Sequence, residues 1–168
     1  MTEAAASTGI TAEQFEAVRD LLYAETGIAL GDTKREMVCS RLARRLRHHK
    51  LRSHADYLAL VRADGAERQE FINCLTTNKT DFFRERHHFD YLAKTVVPQF
   101  RAAGRYRVRV WCAASSTGEE PYTLAMTLAE HCPAAEGWDV KILASDIDTA
   151  VLAAAERGVY SADRLADV

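Results

Sequence analysis

The chain reads as an α+β arrangement of two parts, an all-helical N-terminal bundle followed by an incomplete α/β unit with parallel strands. Three observations predict this. Apolar residues recur at helical spacing from Phe15 to about Leu75, with turn residues between the runs. Two short β-branched runs, Val108-Arg109-Val110 and Val140-Lys141-Ile142, are each followed by a turn and then a helical pattern. A polar stretch, Thr76-Thr77-Asn78-Lys79-Thr80, separates the two regimes.

The helical half divides into four elements. Thr11 and Gln14 have the spacing of a capping box, and Phe15, Val18, Leu21 and Leu22 form one apolar face that ends near Gly27. A second helix is expected over residues 33–49, with Met37, Val38, Leu42 and Leu46 inside. A third fits residues 53–63 through Tyr57, Leu58 and Val61, and a fourth starts after Gly65 and carries Phe71, Ile72 and Leu75. Together they make a bundle of about 65 residues, small but large enough to fold as a unit. The boundaries that follow are residues 10–75 for this domain, 76–106 for a linker and connecting helix, and 107–168 for the α/β part. In the linker, Thr80 suits an N-cap and Asn78 a turn. The helix after it would carry Phe82, Phe83, Phe89, Leu92, Val96 and Val97, and Pro98 should kink or end it.

In the α/β part, strand, turn and helix follow one another twice. After Val110 comes Trp111-Cys112-Ala113-Ala114-Ser115-Ser116-Thr117-Gly118-Glu119-Glu120-Pro121-Tyr122. Small side chains let the backbone N–H groups of such a turn approach a ligand. Ser116 or Thr117 can cap the helix, Pro121 fits its first turn, and Glu119 and Glu120 suit the positive end of its dipole. Two carboxylates would repel a phosphate, so a cationic or hydroxyl-rich ligand fits better. The second strand ends at Asp146-Ile147-Asp148, ahead of a helix over residues 149–157. Asp148 reads as that helix's cap. An acid such as Asp146 at the carboxyl end of the second strand can accept both hydroxyls of a ribose.

Composition excludes several classes. The chain has 168 residues with a formal net charge of -2, so neither disorder nor general polyanion binding is indicated. Cys39, Cys74, Cys112 and Cys132 show no metal-ligand spacing, and no metal is expected. The first three sit among apolar neighbours and read as reduced packing residues. Residues 2–9 read as a frayed tail. With no long apolar span and no secretory pattern, a cytoplasmic protein without membrane insertion is expected. Charge is uneven, however. Residues 34–52 carry eight Lys or Arg, among them Arg41, Arg44, Arg45 and Arg47, against the single acid Glu36. A solvated face and a docking surface for an acidic partner are both open readings. The patch lacks interleaved aromatics, which argues against nucleic acid.

Arg84 follows two phenylalanines, where a guanidinium is expected to be partly buried and to need a carboxylate. A ligand carboxylate and a pairing with Glu85, Glu119 or Glu120 both satisfy that need.

Three motifs in order, Thr-Thr-Asn-x-Thr-x-Phe-Phe-Arg-Glu over residues 76–85, Ala-x-Ser-Thr-Gly-Glu-Glu-Pro-Tyr over 114–122 and Ala-Ser-Asp-Ile-Asp over 144–148, resemble the CheR-type chemotaxis receptor glutamate methyltransferases. The likeness runs from about Ile10 to the end of the chain. It implies an incomplete Rossmann-like (class I) S-adenosylmethionine-dependent methyltransferase domain behind the bundle, with S-adenosylhomocysteine as product and a methyl-accepting chemoreceptor as partner. It also implies that Asn78, Thr80 and Arg84 contact the amino acid end of the donor, that Glu119 lies in the same pocket, and that Asp146 holds the ribose. Arg41, Arg44, Arg45 and Arg47 would then face the receptor's acidic methylation region. The residue inventory agrees with that chemistry. A glutamate with a pKa of ~4.3 is already ionised at neutral pH and needs no general base to attack a sulfonium methyl. Alignment and exclusion of water then carry the catalysis.

In the resembling enzymes the sheet continues for several strands past the position of Tyr160. A two-stranded parallel sheet is not expected to stand alone. A fragment of a longer enzyme, self-association that completes the sheet, and a chain without catalysis each account for this, and the fragment is the reading adopted. The alternative function is a non-catalytic module that docks on a receptor or another acidic regulator.

Overall fold

The computed structural model describes residues 9–165, and the chain divides after Thr76 into two compact units. In the first, helix α1 (Ala12–Thr26) opens on a capping box. The Thr11 hydroxyl accepts the Gln14 N–H at 3.1 Å, and the Gln14 side chain accepts the Thr11 N–H at 3.0 Å. Gly27, at φ 74°, closes it in the left-handed conformation that glycine adopts without strain. A single tight turn, Asp32–Lys34, leads into α2 (Arg35–His48). Ser53 caps α3 (His54–Ala63) and Asp64 caps α4 (Gly65–Leu75), each accepting two backbone N–H groups.

The expected apolar faces meet in one core. Val18, Leu22, Val38, Leu42, Tyr57, Val61 and Phe71 are fully buried. Each such aliphatic or aromatic side chain contributes roughly 1.5–3 kcal/mol on burial. Among the described residues of this unit, one carboxylate is buried. Glu67 is 4% exposed, accepting a hydrogen bond from Tyr57 Oη at 2.7 Å and a two-pronged contact from Arg45, with His49 Nε2 at 2.7 Å. Burial pushes the Glu67 carboxyl up, but the bonds from Arg45, Tyr57 and His49 outweigh it and hold the pKa down at about 2.

In the second unit, residues 82–86 form consecutive turns, which corrects the expectation that Thr80 caps a helix there. Phe83 and Glu85 have φ of 52° and 56°, values that a right-handed helix cannot contain. The Phe83 N–H donates instead to Thr123 Oγ1 at 3.2 Å. Helix α5 (His87–Tyr91) then runs through one wide turn, Leu92–Val96, into α6 (Val97–Ala102). Pro98 does not end this helix. In the wide turn the Val97 N–H reaches back to the Leu92 carbonyl, which relaxes the ladder where the proline ring enters it.

Strand β1 (Arg107–Cys112) pairs in parallel with β2 (Asp139–Ala144), Val108 opposite Val140 and Val110 opposite Ile142. These residues pack with Leu128 of α7 (Glu119–His131), with Cys132 just past its end and with Val97. On the opposite face Trp111 and Leu143 are exposed. Helix α8 (Thr149–Arg157) follows β2 and is capped by Asp148, as its sequence predicts. None of the four cysteines is in a disulfide; Cys112 and Cys132 are buried, and Cys39 and Cys74 pack half-buried against the helical core. Burial raises the thiols of Cys74 and Cys112 to about 11, which leaves them inert at neutral pH.

Candidate functional site

The parallel register brings the carboxyl ends of β1 and β2 side by side. Pairing continues past the strands, with Ser145 N–H donating to the Cys112 carbonyl at 3.0 Å and Ser115 N–H to the Ser145 carbonyl at 2.9 Å. The next residues are therefore neighbours, and Ser116 N–H donates to one oxygen of Asp146 at 2.8 Å. The other oxygen accepts the Asp148 N–H at 3.0 Å. Each oxygen keeps a lone pair for a further donor. Ser116 sits at φ 48°, in the left-handed region.

Neither Ser116 nor Thr117 caps α7. Gly118, at φ 103°, takes the N-cap position and has no side chain to offer. The Ser116 hydroxyl donates to the Asn78 carbonyl at 2.9 Å, and the Thr117 hydroxyl donates to Glu119 at 2.6 Å. The Asn78 amide in turn donates to Asp148 Oδ2 at 2.6 Å. Asn78 thereby ties its loop to both strand-end turns.

A cleft of about 460 Å³ opens along this loop. Asn78, Thr80, Arg84 and Asp146 line it, so four of the five expected ligand residues come together. Its polar wall includes Glu120, and its apolar wall includes Phe89 and Leu124. Glu119 is placed otherwise than expected. It is 1% exposed, it does not line this cleft, and its carboxylate is engaged by Thr117 and Arg164. Helical spacing explains the exchange. Glu119, Thr123 and Thr127 form one buried stripe at i, i+4, i+8, and Glu120 with Leu124 forms the next stripe, which faces the cleft. That spacing was present in the sequence and singles out Glu120 once the helix start is placed at Glu119.

Arg84 also departs from expectation. It is exposed rather than buried between the phenylalanines, and it donates to the Lys79 carbonyl at 3.0 Å. The left-handed turn at Phe83 sends the two rings away from it, Phe82 to the interior and Phe83 against Phe89 at 5.9 Å.

The basic face of the first unit divides the same way. Arg44 and Arg47 are exposed. Arg41 donates to the carbonyls of Cys74 and Thr76, at 3.3 and 2.6 Å, filling the acceptors left open at the end of α4. Arg45 is bound to Glu67 and lies 3.4 Å from Glu70. Two of the four arginines expected to face a partner therefore hold the bundle together. Among the described residues no group of three or more His, Cys, Asp or Glu is arranged to hold a metal, and no helix is long and apolar enough to cross a membrane.

Family models cover both units. One described as the CheR methyltransferase all-alpha domain matches residues 13–76, and one described as the CheR methyltransferase SAM binding domain matches residues 78–168. The chain belongs to the CheR methyltransferase family. It is 51% identical over 156 residues to chemotaxis protein methyltransferase 2 of Pseudomonas aeruginosa, an alignment covering 92% of the chain and 54% of that protein. It is 49% identical over 154 residues to the chemotaxis protein methyltransferase of Escherichia coli, covering 90% of the chain and 51% of that protein. A chemotaxis protein methyltransferase of Borreliella burgdorferi is 34% identical over 163 residues, covering 93% of the chain and 58% of that protein. The chain thus spans about half the length of the curated CheR relatives it matches. Its two units correspond to the helical domain and the first part of the SAM binding domain of the CheR pattern, and its short parallel sheet is that of an incomplete Rossmann-like fold.

Proposed function

We propose that this chain forms the donor-binding half of an S-adenosylmethionine-dependent methyltransferase that modifies glutamate side chains of a cytoplasmic chemoreceptor region. The observation that carries the proposal is the cleft in which Asp146, Glu120 and Arg84 converge on the Asn78–Thr80 loop.

The donor set suits this ligand. Asp146 retains an acceptor lone pair on each carboxylate oxygen, as a ribose diol requires. Glu120 supplies a negative charge beside the loop, matching a sulfonium and an ammonium. Arg84, exposed on the cleft wall, supplies the cation for an amino acid carboxylate. Phosphate would meet two carboxylates here and is disfavoured. S-adenosylmethionine, when bound, supplies an electrophilic methyl group that an ionised carboxylate attacks directly. The chain's own part is to orient and to desolvate. Asp146 and the Ser116 turn set the position of the sugar, and Phe89 and Leu124 exclude water from one side.

Arg44 and Arg47 are the residues proposed to meet an acidic receptor segment, with Arg41 and Arg45 fixing the helix that carries them. Titration of the chain with S-adenosylhomocysteine tests the donor site directly. Micromolar binding that Asp146→Ala weakens supports the proposal. Absence of binding would favour the second reading, a docking module, which the exposed arginines support.

A further inference from the structure

We propose that Arg164 is a positioning residue for the donor site, holding the Asn78–Asp81 loop in place from behind. The inference rests on the donor reading above and assigns a role to a residue outside the three motifs.

The loop is a thin partition. Asn78, Lys79, Thr80 and Asp81 line the donor cleft on one side and a second cavity of about 530 Å³ on the other. Arg164 stands in that second cavity. Its guanidinium donates to the Thr80 carbonyl at 2.8 Å, approaches Asp81 at 3.4 Å, and forms an ion pair with Glu119. One cation therefore joins the loop to the first residue of α7. The Arg164 side chain is 39% exposed, and an exposed pair would hold little. Its partner is different, because the Glu119 side chain is 2% exposed and would be a buried, uncompensated charge without it.

The surrounding contacts fix where Arg164 can reach. Tyr160 Oη donates to the Thr117 carbonyl at 2.7 Å, and its ring meets Phe82 edge-on at 4.9 Å. A Cβ on Gly118 would lie 2.5 Å from that hydroxyl, so the segment carrying Tyr160 and Arg164 is seated closely on the start of α7. Thr80 is thus set from behind by Arg164, while Asn78 is set from the front by Ser116 and Asp148.

The test uses the whole chain, Arg164→Ala and Arg164→Lys, with calorimetric titration by S-adenosylhomocysteine and hydrogen exchange of the amides of residues 80–84. Arg164→Ala should weaken binding at least tenfold and speed exchange in 80–84 at least tenfold, leaving the amides of α1–α4 unchanged. Arg164→Lys keeps one nitrogen for Glu119 but loses the guanidinium's second nitrogen, which faces Asp81 of the loop, so it should fold normally and still bind about threefold more weakly. Wild-type binding that both variants retain would overturn the proposal, as would weakened binding with unchanged loop exchange. A wild-type chain that binds no S-adenosylhomocysteine would instead remove the donor reading, and this role for Arg164 with it.

Discussion

The Ser116 N–H donates to the Asp146 carboxylate across the two strand-end turns at 2.8 Å, although the residues lie 30 positions apart. The parallel register of β1 and β2 creates this contact, and the contact fixes the direction of the carboxylate toward the cleft. Asp146 therefore anchors the turn, and in the proposed function it also accepts from the donor's ribose.

Asp146→Ala should lower S-adenosylhomocysteine affinity by ~1–3 kcal/mol, the cost of losing a charged hydrogen-bond acceptor. Asp146→Asn keeps one acceptor oxygen and should fall between. Calorimetric titration measures both, and an unchanged affinity in the alanine variant would remove Asp146 from the site.

Arg44→Glu and Arg47→Glu together should reduce methylation of receptor-containing membranes by the full-length relative bearing them, with donor affinity intact. Both residues are exposed, so their thermal stability cost should stay within about 0.5 kcal/mol. Arg45→Glu is a different experiment. It sets a carboxylate against buried Glu67 and should unfold the bundle, which circular dichroism would report.

Glu67 gives the helical unit a defined acid response. Its carboxyl is held at about 2 in the fold against an ordinary value of 4.5. That difference contributes roughly 3 kcal/mol at neutral pH. Because the folded value is the lower one, the stability is fully present above about pH 4.5 and is lost as pH falls toward 2. Urea unfolding at a series of pH values should show this loss, and Glu67→Gln should remove that slope. The variant should also be less stable at pH 7 by about 3–5 kcal/mol, since Arg45 keeps its charge without a buried counter-ion.

Gly118→Ala should destabilise the second unit by ~1–3 kcal/mol. The position has φ 103°, and an added Cβ would lie 2.5 Å from Tyr160 Oη and 3.1 Å from the Ala155 backbone. A melting temperature equal to wild type would show that the turn relaxes freely.

Local signals carried most of the architecture. The capping box at Thr11, the cap at Asp148, the four helices of the first unit and both strands follow from short-range chemistry, and the structure reproduces them. The departures come where a distant group outbids a local one. Thr80 has the makings of a cap, but Arg164 takes its carbonyl and the left-handed Phe83 and Glu85 delay the helix to His87. Glu119 and Glu120 are adjacent in sequence, and only the packing of α7 against its surroundings decides which one is buried. Arg41 and Arg45 look like their neighbours Arg44 and Arg47 in composition, yet helical phase turns the first pair toward α4.

The bare side of the strand pair has an optical consequence. Trp111, on that side, is 68% exposed, whereas Trp138 is buried beneath Tyr106 and Arg101. The two indoles are thus reporters of opposite character within a single unit. Acrylamide should extinguish the emission of the first readily and leave the second largely bright, so any molecule laid over that strand surface would announce itself through shielding of one fluorophore.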